Sequence, residues 1–244
     1  MTESHVVAVI PARARDLAPD GAPAMLGPRP LLAYTVEAAR AASTVRRVLV
    51  STDAPAVADL ARSLGAEVPF LRPAELAAPG VPLAAVLRHA VEWLDAAGSP
   101  PDIVVLLEPS HPIRPAGLVD AAVEALGDGD LDSVFAAFED THAFWYLDDA
   151  GALLPVLQAE DATRGRRRPI YRELTGLVCA TRAAVVRGGE KIGRRVGIVP
   201  VRDFGGLADT QDPAGRRLAE RLVAQGIEAA PRAAAQAGAP RSGG

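Results

Sequence analysis

The chain has 244 residues, with 26 Lys+Arg against 30 Asp+Glu and a net charge of −4. That balance makes it a poor general nucleic-acid binder. Apolar residues make up 49%, enough at this length to bury the core of one large α/β domain or of two small ones, and no uninterrupted run approaches the ~18–20 apolar residues of a membrane span. A single cysteine, Cys179, excludes an intramolecular disulfide framework and a multi-cysteine metal site. The N-terminus lacks a charged leader followed by an apolar stretch, so the expected location is cytoplasmic. Lys191 is the only lysine, so any anion site must rely almost entirely on guanidinium groups.

In chain order, residues 6–10 form a short apolar run closed by Pro11, a buried strand. A Pro/Gly-rich loop follows over 11–30, and Leu31, Leu32, Thr35, Val36 and Ala39 are spaced as in a helix over 31–42. A second strand at 47–50 ends in Ser51-Thr52-Asp53, ahead of a helix over 55–64 that opens with Pro55 and stops at Gly65. Residues 67–71 are extended. Residues 83–97 form an amphipathic helix with Val86, Leu87, Ala90, Val91 and Leu94 on one face. The apolar run 102–107 is a strand, 115–126 a helix, 133–138 and 177–180 strands, 196–201 a late strand and 213–225 the last helix. Strands alternating with helices of this length predict a mainly parallel, three-layer α/β sheet. Residues 140–172 break the rhythm with Trp145, Tyr146 and a basic run at 164–168, and read as an inserted arm. The tail from about Ala229 is Ala/Gly/Pro/Ser-rich and expected to be disordered, leaving one domain over 1–228.

Ligands of an open parallel sheet bind beyond the carboxyl ends of its strands. There the chain places Arg13 and Arg15 after the first strand, a guanidinium pair suited to a polyphosphate. After the central strand comes Glu108-Pro109-Ser110-His111-Pro112-Ile113-Arg114, where a carboxylate, a hydroxyl, an imidazole and a guanidinium emerge from one stiff turn. Asp209 follows two glycines and precedes a helix, as a Mg²⁺ ligand or a helix cap does. Five arginines between Arg164 and Arg172, with Tyr171 and Glu173 adjoining, suit a bidentate grip on a carboxylate or phosphate, or form a solvated basic loop. Glycine spacing after the first strand matches neither a Walker loop nor a dinucleotide fingerprint, which argues against a dinucleotide-dependent oxidoreductase.

These segments, in order over about residues 6–226, resemble the acylneuraminate (sialic acid) cytidylyltransferases. The likeness is carried by Val9-Ile10-Pro11-Ala12-Arg13, Pro30-Leu31-Leu32-Ala33-Tyr34-Thr35, Val50-Ser51-Thr52-Asp53, Gly65-Ala66-Glu67-Val68-Pro69-Phe70-Leu71-Arg72-Pro73-Ala74-Glu75-Leu76-Ala77, Leu107-Glu108-Pro109-Ser110-His111-Pro112-Ile113-Arg114, Tyr171-Arg172-Glu173 and Asp209-Thr210. The resemblance implies a Rossmann-like nucleotidyltransferase fold and a homodimer, its arm before Tyr171 completing the neighbour's sugar site. It implies transfer of CMP from CTP to an acidic sugar-like acceptor, with release of pyrophosphate. Arg13 and Arg15 would hold the triphosphate and Arg72 the nucleotide. Glu108, Ser110, Arg114, Tyr171 and Arg172 would line the sugar side, and Asp209 would bind Mg²⁺ or Mn²⁺.

The chain departs from the family's pattern at functional positions. The loop after Arg13 is about two residues shorter and has no lysine; Glu108 stands where the family has Gln; Leu174-Thr175 replaces an Asn; and Leu207-Ala208-Asp209-Thr210 keeps one of two metal carboxylates, leaving Asp203 or Asp212 to compensate. Two functional classes follow: a divergent CTP-dependent enzyme, or a catalytically impaired homologue that binds a ligand or partner.

Overall fold

The structure is a computed structural model that describes residues 4–13, 24–127, 129–156 and 169–227. Its centre is a seven-stranded sheet. The elements run β1 (Val6–Pro11), β2 (Met25–Leu26), β3 (Arg29–Pro30), α1 (Leu31–Ala41), β4 (Arg47–Ser51), α2 (Pro55–Ser63), α3 (Ala74–Ala77), α4 (Leu83–Ala96) and β5 (Ile103–Leu106). After these come α5 (Leu118–Leu126), β6 (Ser133–Asp140), β7 (Trp145–Leu147), β8 (Leu153–Pro155), β9 (Ile170–Glu173), β10 (Cys179–Arg182), α6 (Ala183–Arg187), β11 (Val196–Val201), a 3₁₀ turn (Phe204–Leu207) and α7 (Pro213–Ala224).

Alternation along the strands builds two cores. Val6, Ala8 and Ile10 of β1, with Val48, Val50, Ile103 and Val105, face the larger one, which α1, α2, α5 and α7 cover. Val7, Val9, Leu49, Val104 and Leu106 face the other, filled by Leu87, Ala90, Val91 and Leu94 of α4 and by Ala183 and Val186 of α6. Both sheet faces are therefore buried, and β1 and β5 read as continuous apolar runs for that reason.

The strand order is β11-β6-β10-β5-β1-β4, and β9 also pairs with β6. β1 lies parallel to both β4 and β5. The chain thus moves from β1 outward to β4, then crosses back to place β5 on the other side of β1. This reversal of strand order opens a crevice at the carboxyl ends of β1 and β5.

Three elements differ from expectation. The helix expected over 115–126 begins at Leu118, because Gly117 occupies its N-cap with φ +74° and Pro115 starts a turn, its carbonyl accepting from the Leu118 N–H at 3.1 Å. The strand expected over 177–180 is β10, shifted to Cys179–Arg182 and antiparallel to both β5 and β6. β9 is likewise antiparallel to β6, so β9 and β10 run along one edge of β6 as an interrupted partner. The interruption lies opposite Ala136, whose N–H donates to Val178 while its carbonyl accepts from Leu174. Residues 174–178 leave the ladder as a large bulge, a feature that turns side chains out of a sheet. Within the expected arm, β7 and β8 form a hairpin. The basic run 164–168, Arg15 and the tail from Ala229 lie outside the described residues.

Candidate active site

Two adjoining cavities occupy the crevice. The first, about 180 Å³, is lined by Pro11, Ala12 and Arg13 after β1, by Arg72, and by Glu108, Pro109 and Ser110 after β5. Leu83 and Val86 at the start of α4 close one side, and Gln211 another. The second, about 420 Å³, is lined by Glu108, Ser110 and His111, by Arg172–Gly176 at the end of β9 and in the bulge, and by Asp209, Gln211 and Asp212. Glu108, Ser110 and Gln211 line both cavities, so the two share a wall.

Backbone pairing explains how residues far apart in sequence meet there. Ala12 donates to the Ser51 carbonyl at 2.9 Å, fixing the exit from β1 against the end of β4. Arg72 reaches the same place: its Nε donates to Ser51 Oγ at 3.1 Å, its terminal nitrogen to the Ser51 carbonyl, and its own N–H to Thr52 at 2.7 Å. The Arg72 side chain is therefore a braced part of the first cavity's wall. On the opposite side, Thr210 donates to the Ser110 carbonyl from its backbone at 2.8 Å and from its hydroxyl at 3.1 Å. Those two bonds bring Asp209 and Gln211 beside the turn after β5.

Arg114 holds that turn from beneath. Its guanidinium donates to the carbonyls of Leu177 (2.7 Å), Glu108 (2.6 Å) and Gly176 (3.0 Å) and to Thr35 Oγ1 (2.9 Å). Only 3% of the residue is exposed, and burial pushes its pKa down to about 9, opposed by the nearby Glu108 carboxylate. Arg114, expected on the sugar side, is placed beneath the turn. It lines neither cavity and instead ties the Glu108 turn to the bulge. Tyr171 also stays outside both cavities, 44% exposed on β9. Arg13, Arg72, Glu108, Ser110, Arg172 and Asp209 line these two cavities, while Arg15 falls outside the described residues.

Other residues also border the site. His111 Nδ1 lies 3.0 Å from Ser110 Oγ. Burial lowers the His111 pKa to about 4 despite the Asp209 carboxylate, with Arg114 adding to the fall, so the ring is neutral near pH 7. A side chain on Gly176 would overlap this ring, so glycine there lets the bulge close over it. Lys191 Nζ meets Glu173 Oε1 at 3.3 Å and Thr175 Oγ1 at 3.1 Å, bracing the outer wall of the second cavity. Only proximity to Arg172, Asp209 and the Glu108 turn could have flagged Thr175, Gly176 and Gln211. Cys179 is buried, its thiol pushed up to about 11 by desolvation, and belongs to the core.

Among the described residues, no three His, Cys, Asp or Glu side chains cluster to enclose a metal. Of the two carboxylates offered as companions to Asp209, Asp212 lines the same cavity, whereas Asp203 caps the 3₁₀ turn by accepting from Gly205 N at 2.6 Å. One or two carboxylates open to a cavity suit Mg²⁺, which commonly completes its shell with substrate phosphates and water. No described helix is long and apolar enough to cross a membrane.

Comparison with known proteins agrees with this architecture. CMP-N,N'-diacetyllegionaminic acid synthase of Legionella pneumophila is 35% identical over 124 residues, 49% of this chain and 52% of the relative. N-acylneuraminate cytidylyltransferase of Escherichia coli is 34% identical over 122 residues, 50% of this chain and 28% of the relative. The chain thus spans about half or less of these curated relatives. Among solved structures, a CMP:2-keto-3-deoxy-manno-octonic acid synthetase complexed with CTP superposes with a TM-score of 0.67 at 17% identity, covering 91% of this chain and 100% of that one. The 4-diphosphocytidyl-2C-methyl-D-erythritol synthase of Anaerococcus prevotii gives 0.65 at 10% identity, covering 91% and 99%. These likenesses show a shared Rossmann-like fold. The sequence model described as cytidylyltransferase matches residues 22–174, most of the chain, and the protein belongs to that family.

Proposed function

We propose that the protein transfers CMP from CTP to a hydroxyl of an acidic, sialic acid-like sugar and releases pyrophosphate. The observation that carries this reading is the shared wall: a cavity bearing Arg13 and Arg72 opens beside one bearing Arg172 and Asp209, with Glu108, Ser110 and Gln211 between them. In-line attack of a hydroxyl on the α-phosphorus needs two bound reactants in contact, and most of its acceleration comes from positioning and charge neutralisation. Arg13 holds the triphosphate through its forked guanidinium, while Arg72, braced on Ser51, sets a positive charge in the wall beside the nucleotide. In the second cavity Arg172 faces the acceptor's carboxylate, while the Lys191 contact offsets the charge of Glu173. Asp209, with Asp212 nearby, would hold Mg²⁺ or Mn²⁺. When bound, such an ion neutralises phosphate charge and makes phosphorus more electrophilic. The relatives named above for legionaminic and acylneuraminic acids support an acceptor of this class. We further propose that a homodimer completes the sugar site through the β7–β8 hairpin, which exposes Trp145, Tyr146, Leu147 and Leu153.

The test is pyrophosphate release with CTP, Mg²⁺ and a panel of acidic sugars, together with the melting shift produced by CTP. Release with at least one acidic sugar is the expected outcome. A CTP-induced shift without release from any acceptor would instead identify a ligand-binding protein, and neither effect would leave only the fold in common.

A further inference from the structure

We infer that Glu108 is the general base of the transfer, taking the proton of the acceptor hydroxyl as its oxygen attacks the α-phosphorus. This assignment rests on the two-cavity reading above. The reacting oxygen and phosphorus must meet where the cavities join, and among the described residues three line both: Glu108, Ser110 and Gln211. The amide of Gln211 has no lone pair basic enough to accept a proton near neutral pH, and a serine hydroxyl is a far weaker base than a carboxylate. Glu108 alone of the three has the required chemistry, and it acquires that chemistry at a position where the resembled family has Gln, so the base is a feature of this chain. The other candidate bases, His111, Glu173, Asp209 and Asp212, line only the second cavity. His111 is further committed, with Nδ1 beside Ser110 Oγ and its ring covered by Gly176.

The backbone of Glu108 is fixed at both ends. Its N–H donates to the Gly176 carbonyl at 2.9 Å, and its carbonyl accepts from Arg114 at 2.6 Å and from the His111 N–H at 3.2 Å. Its carboxylate lies close enough to the buried Arg114 cation to help keep that group charged. A base held this way needs little reorganisation when the acceptor arrives.

The step balances. The acceptor O–H bond breaks and its proton passes to a Glu108 carboxylate oxygen. The freed electron pair forms the new O–P bond, while the bond from the α-phosphorus to the bridging oxygen breaks and pyrophosphate departs with that electron pair. Loss of the proton from Glu108 to water restores the carboxylate.

The experiment compares steady-state kinetics of the full chain with Glu108→Gln, Glu108→Asp and Glu108→Ala, using CTP, Mg²⁺ and the best acidic sugar. Removing a general base typically costs about 10²–10⁴-fold, so Glu108→Gln should lose that much kcat with both KM values little changed. Glu108→Asp should retain an intermediate rate, and added formate, but not chloride, should partly restore Glu108→Ala. A CTP-induced melting shift equal to wild type identifies the variants that are folded and loaded. Undiminished kcat in Glu108→Gln, a loss confined to the acceptor KM, no rescue by formate, or recovery at high Mg²⁺ would each overturn the assignment while leaving the transferase reading intact. No pyrophosphate release by wild type with any acceptor would overturn both.

Discussion

Two residues beneath the shared wall do work that their chemistry alone would not suggest. Arg114 emerges beside the functional turn, yet it spends its donors on three carbonyls and a threonine hydroxyl. Hydrogen bonds from a charged donor contribute about 1.5–3 kcal/mol each, so the guanidinium is a structural clamp on the site. His111 is its neutral counterpart. The unfolded chain binds a proton on this imidazole below about pH 6.5, whereas burial holds the folded pKa near 4. Between these values the unfolded state binds more protons, so stability is fully present above pH 6.5 and falls as pH drops toward 4. Thermal melts from pH 7.5 to 4.5 should show this loss, and His111→Gln should flatten that part of the curve. An identical slope in the variant would mean that the imidazole titrates freely in the folded protein.

At the scale of elements, the second cavity depends on two irregularities. One is the bulge at residues 174–178, which takes Thr175 and Gly176 out of the ladder and presents them to the site. The other is the seat of α7. Asp212 caps this helix by accepting from Gly215 N at 2.8 Å, and the first turn packs so tightly on the Asp209 backbone that a Cβ on Gly215 would overlap it. Gly215→Ala should therefore displace the turn carrying Asp209 without altering any side chain in the cavities. The expected result is weaker Mg²⁺ dependence of CTP binding together with a lower Tm, read by calorimetric titration at several Mg²⁺ concentrations and by melting. Unchanged titrations would show that Asp209 tolerates the shift or takes no part in metal binding. Little of this was legible beforehand. Apolar runs reveal strands and periodicity reveals helices, but β10 has the composition of a parallel core strand, and its reversed direction comes from the pairing of β9 and β10 with one edge of β6. Gly117 similarly delays α5 by three residues because its left-handed backbone is invisible to hydrophobic spacing.

At the scale of the whole molecule, the legible part of the site is the part that topology governs. Arg13, Glu108 and Ser110 follow strands at the point where strand order reverses, and the rule for parallel sheets finds them without coordinates. Arg114 satisfies the same rule but points beneath the turn, since an arginine after a strand looks alike whether it faces a cavity or braces one. Gln211 was missed because only the Thr210–Ser110 hydrogen bonds carry it to the shared wall. The β7–β8 hairpin extends the argument beyond one chain. Trp145 and Leu147 are 59% and 67% exposed, and Leu153 of the facing strand is 64% exposed. Contiguous apolar side chains of this size usually mark a contact surface, and a second copy is the occupant proposed above. Light scattering should give wild type a mass near twice the 25.3 kDa chain. Trp145→Ser combined with Leu147→Lys should return it to a single chain, with a higher KM for the acceptor and an unchanged CTP-induced melting shift. A wild-type monomer with full activity would show that each site is complete within one chain, and would leave the hairpin's apolar surface to some other contact.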